Sequence, residues 1–244
     1  ARVALGALNL AEDCANMLRP LLLDDGLELS AEGLGAGGFG RVVRGRWRGA
    51  GVAVKLLHAS LAADQAALAQ VAQEAALQAA LRHPHVVQLF GVAVVRGTLA
   101  LVMELCDGSL QKAVYGKTLA EVPLAARLRW LHEAASALAF MHARGLAHRD
   151  VKAANVLLAG GRAVLGDLGL TRDASRSARA TGMTLALGTP AWCAPEVIER
   201  ERYDERAADV YALGVTLWEV LAGAEPLADV PVLAVTVHIV RGAR

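Results

Sequence analysis

His148-Arg149-Asp150-Val151-Lys152-Ala153-Ala154-Asn155 is the stretch on which the reading of this sequence turns. Its eight residues hold a carboxylate able to act as a base, an amide and two cations, and the apolar Val156-Leu157-Leu158 follows at once. Alone, the run would pass for a polar surface loop. Downstream, Ala163-Val164-Leu165 reads as a strand and leads into Asp167-Leu168-Gly169. Asn155 and Asp167 are oxygen donors of the kind Mg²⁺ takes, which prefers carboxylate, carbonyl and water.

Upstream, Gly35-Ala36-Gly37-Gly38-Phe39-Gly40-Arg41-Val42 lets backbone amides approach phosphate without side-chain interference. A tight hairpin would need the same glycines. A dinucleotide-binding turn would open a helix here, whereas a strand pattern follows. Val52-Ala53-Val54-Lys55 ends an apolar strand on a lysine. Such a strand end is ordinarily solvated. If it is buried, its ammonium needs a carboxylate, and Glu74 lies in the helical run of residues 62–81 that follows.

Residues 27–55 read as strands punctuated by glycine, residues 86–95 and 99–105 as further strands, and residues 123–143 and 207–221 as long helices. Strands first and helices after Cys106-Asp107-Gly108 predict an α+β chain in two parts, preceded by a leader over residues 1–26. Of the 244 residues, 55% are hydrophobic and 20% charged, enough apolar material for a core. The net charge of +1, with basic residues spread along the chain, argues against a nucleic-acid partner. Three cysteines, Cys14, Cys106 and Cys193, fit neither a disulfide framework nor a zinc site, as in a reducing compartment. No uncharged apolar run is long enough for a membrane helix.

The order and spacing of these stretches, with Ala194-Pro195-Glu196 and Asp209-Val210-Tyr211-Ala212-Leu213-Gly214, resemble the protein kinase family over almost the whole chain. Arg82-His83-Pro84-His85-Val86-Val87, Gly188-Thr189-Pro190-Ala191-Trp192 and Gly214-Val215-Thr216-Leu217-Trp218-Glu219 look closest to the tyrosine-kinase-like serine/threonine group, the Raf and mixed-lineage relatives. The resemblance implies a bilobal kinase fold over residues 27–244. An antiparallel sheet with one helix would span 27–105, and a partial, mainly helical lobe 106–244. It implies transfer of the γ-phosphoryl group of ATP, with Mg²⁺, to Ser/Thr hydroxyls of protein substrates, in the cytoplasm and in signalling.

By the same resemblance, Asp150 accepts the hydroxyl proton, Lys152 helps hold the γ-phosphate, and Lys55, paired with Glu74, holds the α- and β-phosphates. Asn155 and Asp167 bind Mg²⁺. Gly35, Gly37 and Gly40 cover the phosphates, and adenine sits among Leu34, Val42, Ala53 and Leu157. Met103 is the gatekeeper, and Glu104 and Cys106 belong to the hinge. Ser175, Ser177, Thr181 and Thr184 offer sites for an upstream kinase, whose phosphate would pair with Arg149. Three departures stand out. Leu168 replaces the usual Phe. Gln78 takes a place usually apolar. The family's last two helices, and with them the arginine that pairs with Glu196, fall beyond Arg244, so apolar surface is expected on the helical part. The alternatives are a pseudokinase acting as an ATP-binding scaffold and a small-molecule phosphotransferase.

Overall fold

The computed structural model describes residues 11–23, 26–37, 40–58, 65–168, 172–173, 190–199 and 202–242. They divide into two compact units, one of residues 1–82 and 87–106, the other of 83–86 and 107–244.

The first unit is built on β1 (Leu27–Gly37), β2 (Gly40–Trp47), β3 (Ala50–Leu57), β4 (Leu89–Val95) and β5 (Thr98–Glu104). They form one antiparallel sheet in the order β1-β2-β3-β5-β4. The glycine stretch is the β1–β2 hairpin, with Gly35 opposite Val42 and Gly37 opposite Gly40, and no helix follows it. Gly40 is glycine for a steric reason, since a Cβ there would collide with the Leu56 carbonyl on β3. Register places Val42 opposite Lys55, and Ala53 opposite Met103. Lys55 does not end the strand as expected from sequence, since β3 runs on through Leu56 and the buried Leu57.

The run at 62–81 becomes α2 (Gln65–Ala80), whose inward residues are Leu68, Val71, Ala72, Ala75 and Gln78. The stretch read as a leader contains α1 (Glu12–Leu18) and a 3₁₀ turn, Arg19–Leu21. Its Cys14 and Leu18 are buried in one cluster with Leu57, Val71, Ala72, Ala75, Leu89, Val92, Leu99 and Leu101. A second apolar cluster of the sheet gathers Val43, Val52, Val54, Ala100 and Val102.

The second unit contains β6 (Gly108–Ser109), α3 (Leu110–Val114), α4 (Leu124–His142), β7 (Leu146–Ala147), β8 (Val156–Ala159), β9 (Arg162–Leu165) and β10 (Arg172–Asp173). These are followed by α5 (Pro195–Ile198), α6 (Glu205–Ala222) and α7 (Val232–Val240). Strand β8 pairs with β6 and β9, and β10 with β7. Helix α4 buries Leu131, Ala134, Ala137, Leu138 and Met141 and packs on β9 and α6. Helix α6 starts at an Asp204 cap, whose side chain accepts from Arg206 N, and ends at Gly223 with φ 65°.

Arg127 on α4 is 1% exposed. Its guanidinium donates to the carbonyls of Val122, Val220, Leu221, Lys117 and Thr118. Two of these lie at the C-terminal end of α6, where carbonyls lack helical partners and a cation is favoured. Val210, Leu217, Trp218 and Leu221 leave apolar surface exposed on α6. Glu196, half-buried on α5, makes no hydrogen bond or ion pair among the described residues.

Candidate active site

The loop between β7 and β8 carries residues 148–155, and a carboxylate far along the chain fixes its shape. Asp209 on α6 is 2% exposed. It accepts from His148 N at 2.8 Å and Arg149 N at 2.7 Å, and meets His142 Nε2 at 2.8 Å. Those bonds hold Arg149 in the left-handed region, φ 69°, a conformation that residues with a Cβ seldom adopt.

His148 is fully buried. Its Nδ1 accepts from Asp150 N at 3.3 Å, which leaves the proton on Nε2 to be donated to Gly166 O at 3.0 Å. The imidazole therefore ties the loop to the segment that leads into Asp167. Gly166 N in turn donates to Asn155 O at 2.9 Å. Because Val156 pairs with Leu165, Asn155 and Asp167 emerge at the same end of the β8–β9 hairpin.

Asp150, Lys152 and Asn155 converge. Lys152 Nζ lies 3.0 and 2.8 Å from the two Asp150 carboxylate oxygens. Asn155 Nδ2 donates at 2.7 Å to Asp150 Oδ2 and at 2.7 Å to its backbone oxygen. The amide thus spends its donors on Asp150 and keeps Oδ1 for a ligand. Asp167 is exposed with φ 53°, and Leu168 is buried, as expected of a side chain standing in for Phe.

Glu219 and Trp192, which sequence reasoning left inside longer motifs without a role, also hold this loop, with Tyr115. Glu219 on α6 is fully buried and accepts from Ala153 N at 3.0 Å, Trp192 Nε1 at 2.8 Å and Tyr115 OH at 2.8 Å. Burial raises its carboxyl pKa despite those three donors, with Glu225 pushing the same way. Arg149, the side chain expected to meet a phosphate, is ion-paired with Glu205. Burial pushes the Cys193 thiol up to about 11, with the Asp150 charge adding to it, so this cysteine stays protonated at neutral pH.

The remaining expected residues lie in the first unit, apart from Leu157 on β8. Leu34, Gly35 and Gly37 are on β1, Gly40 and Val42 on β2, Ala53 and Lys55 on β3, and Met103 and Glu104 on β5. Cys106 follows, half-buried, its Sγ 3.9 Å from Glu104 O. Glu74 on α2 accepts from Gln70 Nε2 at 3.1 Å. Gln78 has partners: its Nε2 donates to Val87 O at 3.4 Å and meets Met103 Sδ at 3.9 Å. Both are long, so this amide is weakly satisfied rather than stranded. Gly38, Phe39, Gly169, Ser175, Ser177, Thr181, Thr184 and Thr189 lie outside the described residues.

Residues 29–244 match the family described as protein tyrosine and serine/threonine kinase. Mitogen-activated protein kinase kinase kinase 10 of Homo sapiens is 36% identical over 216 residues, 83% of this chain and 22% of that protein. Mitogen-activated protein kinase kinase kinase 11 of Homo sapiens is 36% identical over 218 residues, 84% of this chain and 25% of that protein. CBL-interacting protein kinase 4 of Oryza sativa subsp. japonica is 39% identical over 207 residues, 80% of this chain and 44% of that protein. The chain thus spans less than half the length of these relatives. Its motifs, its α+β fold and these likenesses agree: the chain belongs to the protein tyrosine and serine/threonine kinase family.

Proposed function

We propose that this domain transfers the γ-phosphoryl group of ATP to serine and threonine hydroxyls of protein substrates, with Asp150 taking the hydroxyl proton. The observation that carries the reading is the Asp150–Lys152–Asn155 cluster on a loop pinned by Asp209. The Asp150 carboxylate lies beside a cation and an amide donor, so it is a proton acceptor ready in place. Lys152, on the same carboxylate, stands where it can turn to the incoming phosphate as a point charge. The acceptor oxygen attacks phosphorus, the bond to the bridging oxygen of ADP breaks, and Asp150 holds the released proton.

The family uses ATP and Mg²⁺. Asn155 Oδ1 and the Asp167 carboxylate are hard oxygen donors at one end of a hairpin, and the Asn155 amide already faces Asp150 with its nitrogen. That donor set fits Mg²⁺, which binds through one or two carboxylates and completes its shell with water and substrate phosphate. When bound, the ion neutralises charge on the phosphates. Lys55, partnered by Glu74, takes the α- and β-phosphates, under the hairpin of Gly35, Gly37 and Gly40. Leu34, Val42 and Ala53 serve adenine, and Met103, Glu104 and Cys106 border it.

The two compact units correspond, in this reading, to the two lobes expected from sequence, with residues before 27 an addition to the first. Substrates are proteins with Ser/Thr acceptors, and an upstream kinase acts on the residues between Asp167 and Glu196. A cytoplasmic location accords with three free cysteines and with the absence, among the described residues, of a helix long and apolar enough to cross a membrane. The scaffold-only reading loses its main support because Gln78 is hydrogen-bonded.

Asp150→Asn tests the assignment. Radiolabel transfer from ATP should fall by about 10²–10⁴-fold, with nucleotide affinity nearly unchanged. Transfer at the wild-type rate would remove Asp150 from the chemistry. Phosphoamino-acid analysis of wild-type product should show phosphoserine and phosphothreonine. A predominance of phosphotyrosine would overturn the acceptor class.

A further inference from the structure

The matched family domain begins at residue 29, yet residues 11–23 are built into the core of the first unit. Leu18 is fully buried and Cys14 is 6% exposed, with Met17, Leu21 and Leu22 half-buried around them. Helix α2 meets this segment with Val71, Ala72 and Ala75, and with Ala69 and Ala79 at the margin. Small side chains on that face let α1 come close. Among the described residues, the two main neighbours of α2 are α1 and β4.

The segment then locks onto β4. Leu22 forms a parallel bridge with Val92, and Leu23 N donates to Val92 O at 2.9 Å. Gly91 beside them leaves no room for a side chain, because a Cβ would collide with the Leu21 carbonyl and with the Leu23 side chain. The fit is therefore registered on both sides, by apolar burial against α2 and by backbone bonding to β4. A loosely tethered tail would show neither.

We propose that residues 11–23 form an arm that positions α2, and through α2 the carboxylate of Glu74. Cys14 and Leu18 are its positioning residues, and neither touches the substrate. Helix α2 is alanine-rich, so few of its own side chains reach far enough to fix its distance from the sheet. Wedged between α1 and β4, it has one resting place. Releasing the arm frees α2 to shift and takes Glu74 away from where Lys55 needs it. The inference rests on the proposed role of Glu74 in supporting Lys55.

The test uses the full chain with Leu18→Ala, which empties the centre of the contact, and Gly91→Ala, which pushes the arm off β4 from the other side. Both should lower kcat/KM about tenfold, within the usual range of coupling between distant sites. Both should raise KM for ATP, and hydrogen exchange across α2 should quicken. Simple loss of folded protein would instead lower the maximal rate alone, in proportion to the unfolded fraction seen in a melt, and that pattern would overturn the proposal. Added to Glu74→Gln, Leu18→Ala should have little further effect on kcat/KM, because the arm acts through Glu74. If Glu74→Gln is impaired and Leu18→Ala is fully additive with it, the arm does not act through that carboxylate. If Glu74→Gln is itself silent, the assignment of Glu74 fails and the arm proposal falls with it. Should Leu18→Ala not fold, Leu18→Val and Gly91→Ala carry the same comparison.

Discussion

Glu219 offers a sharp contrast between two substitutions. Its Oε2 accepts from Ala153 N and Trp192 Nε1, and its Oε1 accepts from the Tyr115 hydroxyl. In Glu219→Gln the amide oxygen can keep the first two donors. The new NH₂ then donates to the tyrosine oxygen, whose hydroxyl rotates to suit. Every partner stays satisfied, so stability should change by less than about 1 kcal/mol. In Glu219→Ala, the backbone N–H of Ala153 and the indole N–H of Trp192, which is 5% exposed, lose their acceptor. At roughly 1–3 kcal/mol for each buried unsatisfied donor, the loss is about 4 kcal/mol. For a chain of this length that is a fall in Tm of about 10 °C, at roughly 2–4 °C per kcal/mol. Activity should fall as well, because Ala153 lies between Lys152 and Asn155. Since burial raises the native carboxyl pKa above its unfolded value, the stability Glu219 contributes is full below the ordinary glutamate range. It is lost as pH rises through the raised native value. Melts from acid to neutral pH should therefore show Glu219→Gln gaining on wild type as pH rises. Equal melting temperatures for the Ala and Gln variants, or a gap between Gln and wild type that moves the other way, would refute the reasoning.

Asp209→Ala should be among the most damaging single changes for activity. It strands the amides of His148 and Arg149, at about 1–3 kcal/mol each, and steady-state kinetics on the folded fraction should show kcat collapsing. Gln78→Leu should cost less than about 1 kcal/mol or stabilise, because the two bonds it removes are long; chemical denaturation would read a clear loss if the amide matters more. Because Arg149 already has the Glu205 carboxylate, phosphatase treatment should lower activity less than Arg149→Ala does, and complete inactivation by phosphatase would reverse that ranking.

What could be read from sequence was whatever is local. The glycine hairpin, the strand carrying Lys55, the long helices and the Asp150–Asn155 loop each occupy one short stretch with its own periodicity or spacing, and the structure places them as elements of the expected kind, the strand running two residues past Lys55. The fastenings were not legible. Asp209 reaches back to Arg149, Glu219 to Ala153 and Arg127 across to Val220, and bonds between residues so far apart leave no pattern in any window. The packing of the opening segment is a different failure, since its signal was present. Cys14, Met17, Leu18, Leu21 and Leu22 stand at i, i+3, i+4, i+7 and i+8, the apolar stripe of a helix seeking a partner.

The left-handed backbone at Asp167 has a consequence for how such a domain ages under mutation. At φ 53° a residue with a Cβ is strained, by something on the order of 1 kcal/mol, where glycine would be relaxed. Asp167→Gly would relieve the strain and delete a proposed metal ligand in the same stroke. On the proposed role of Asp167, backbone strain and metal binding pull in opposite directions at this one position.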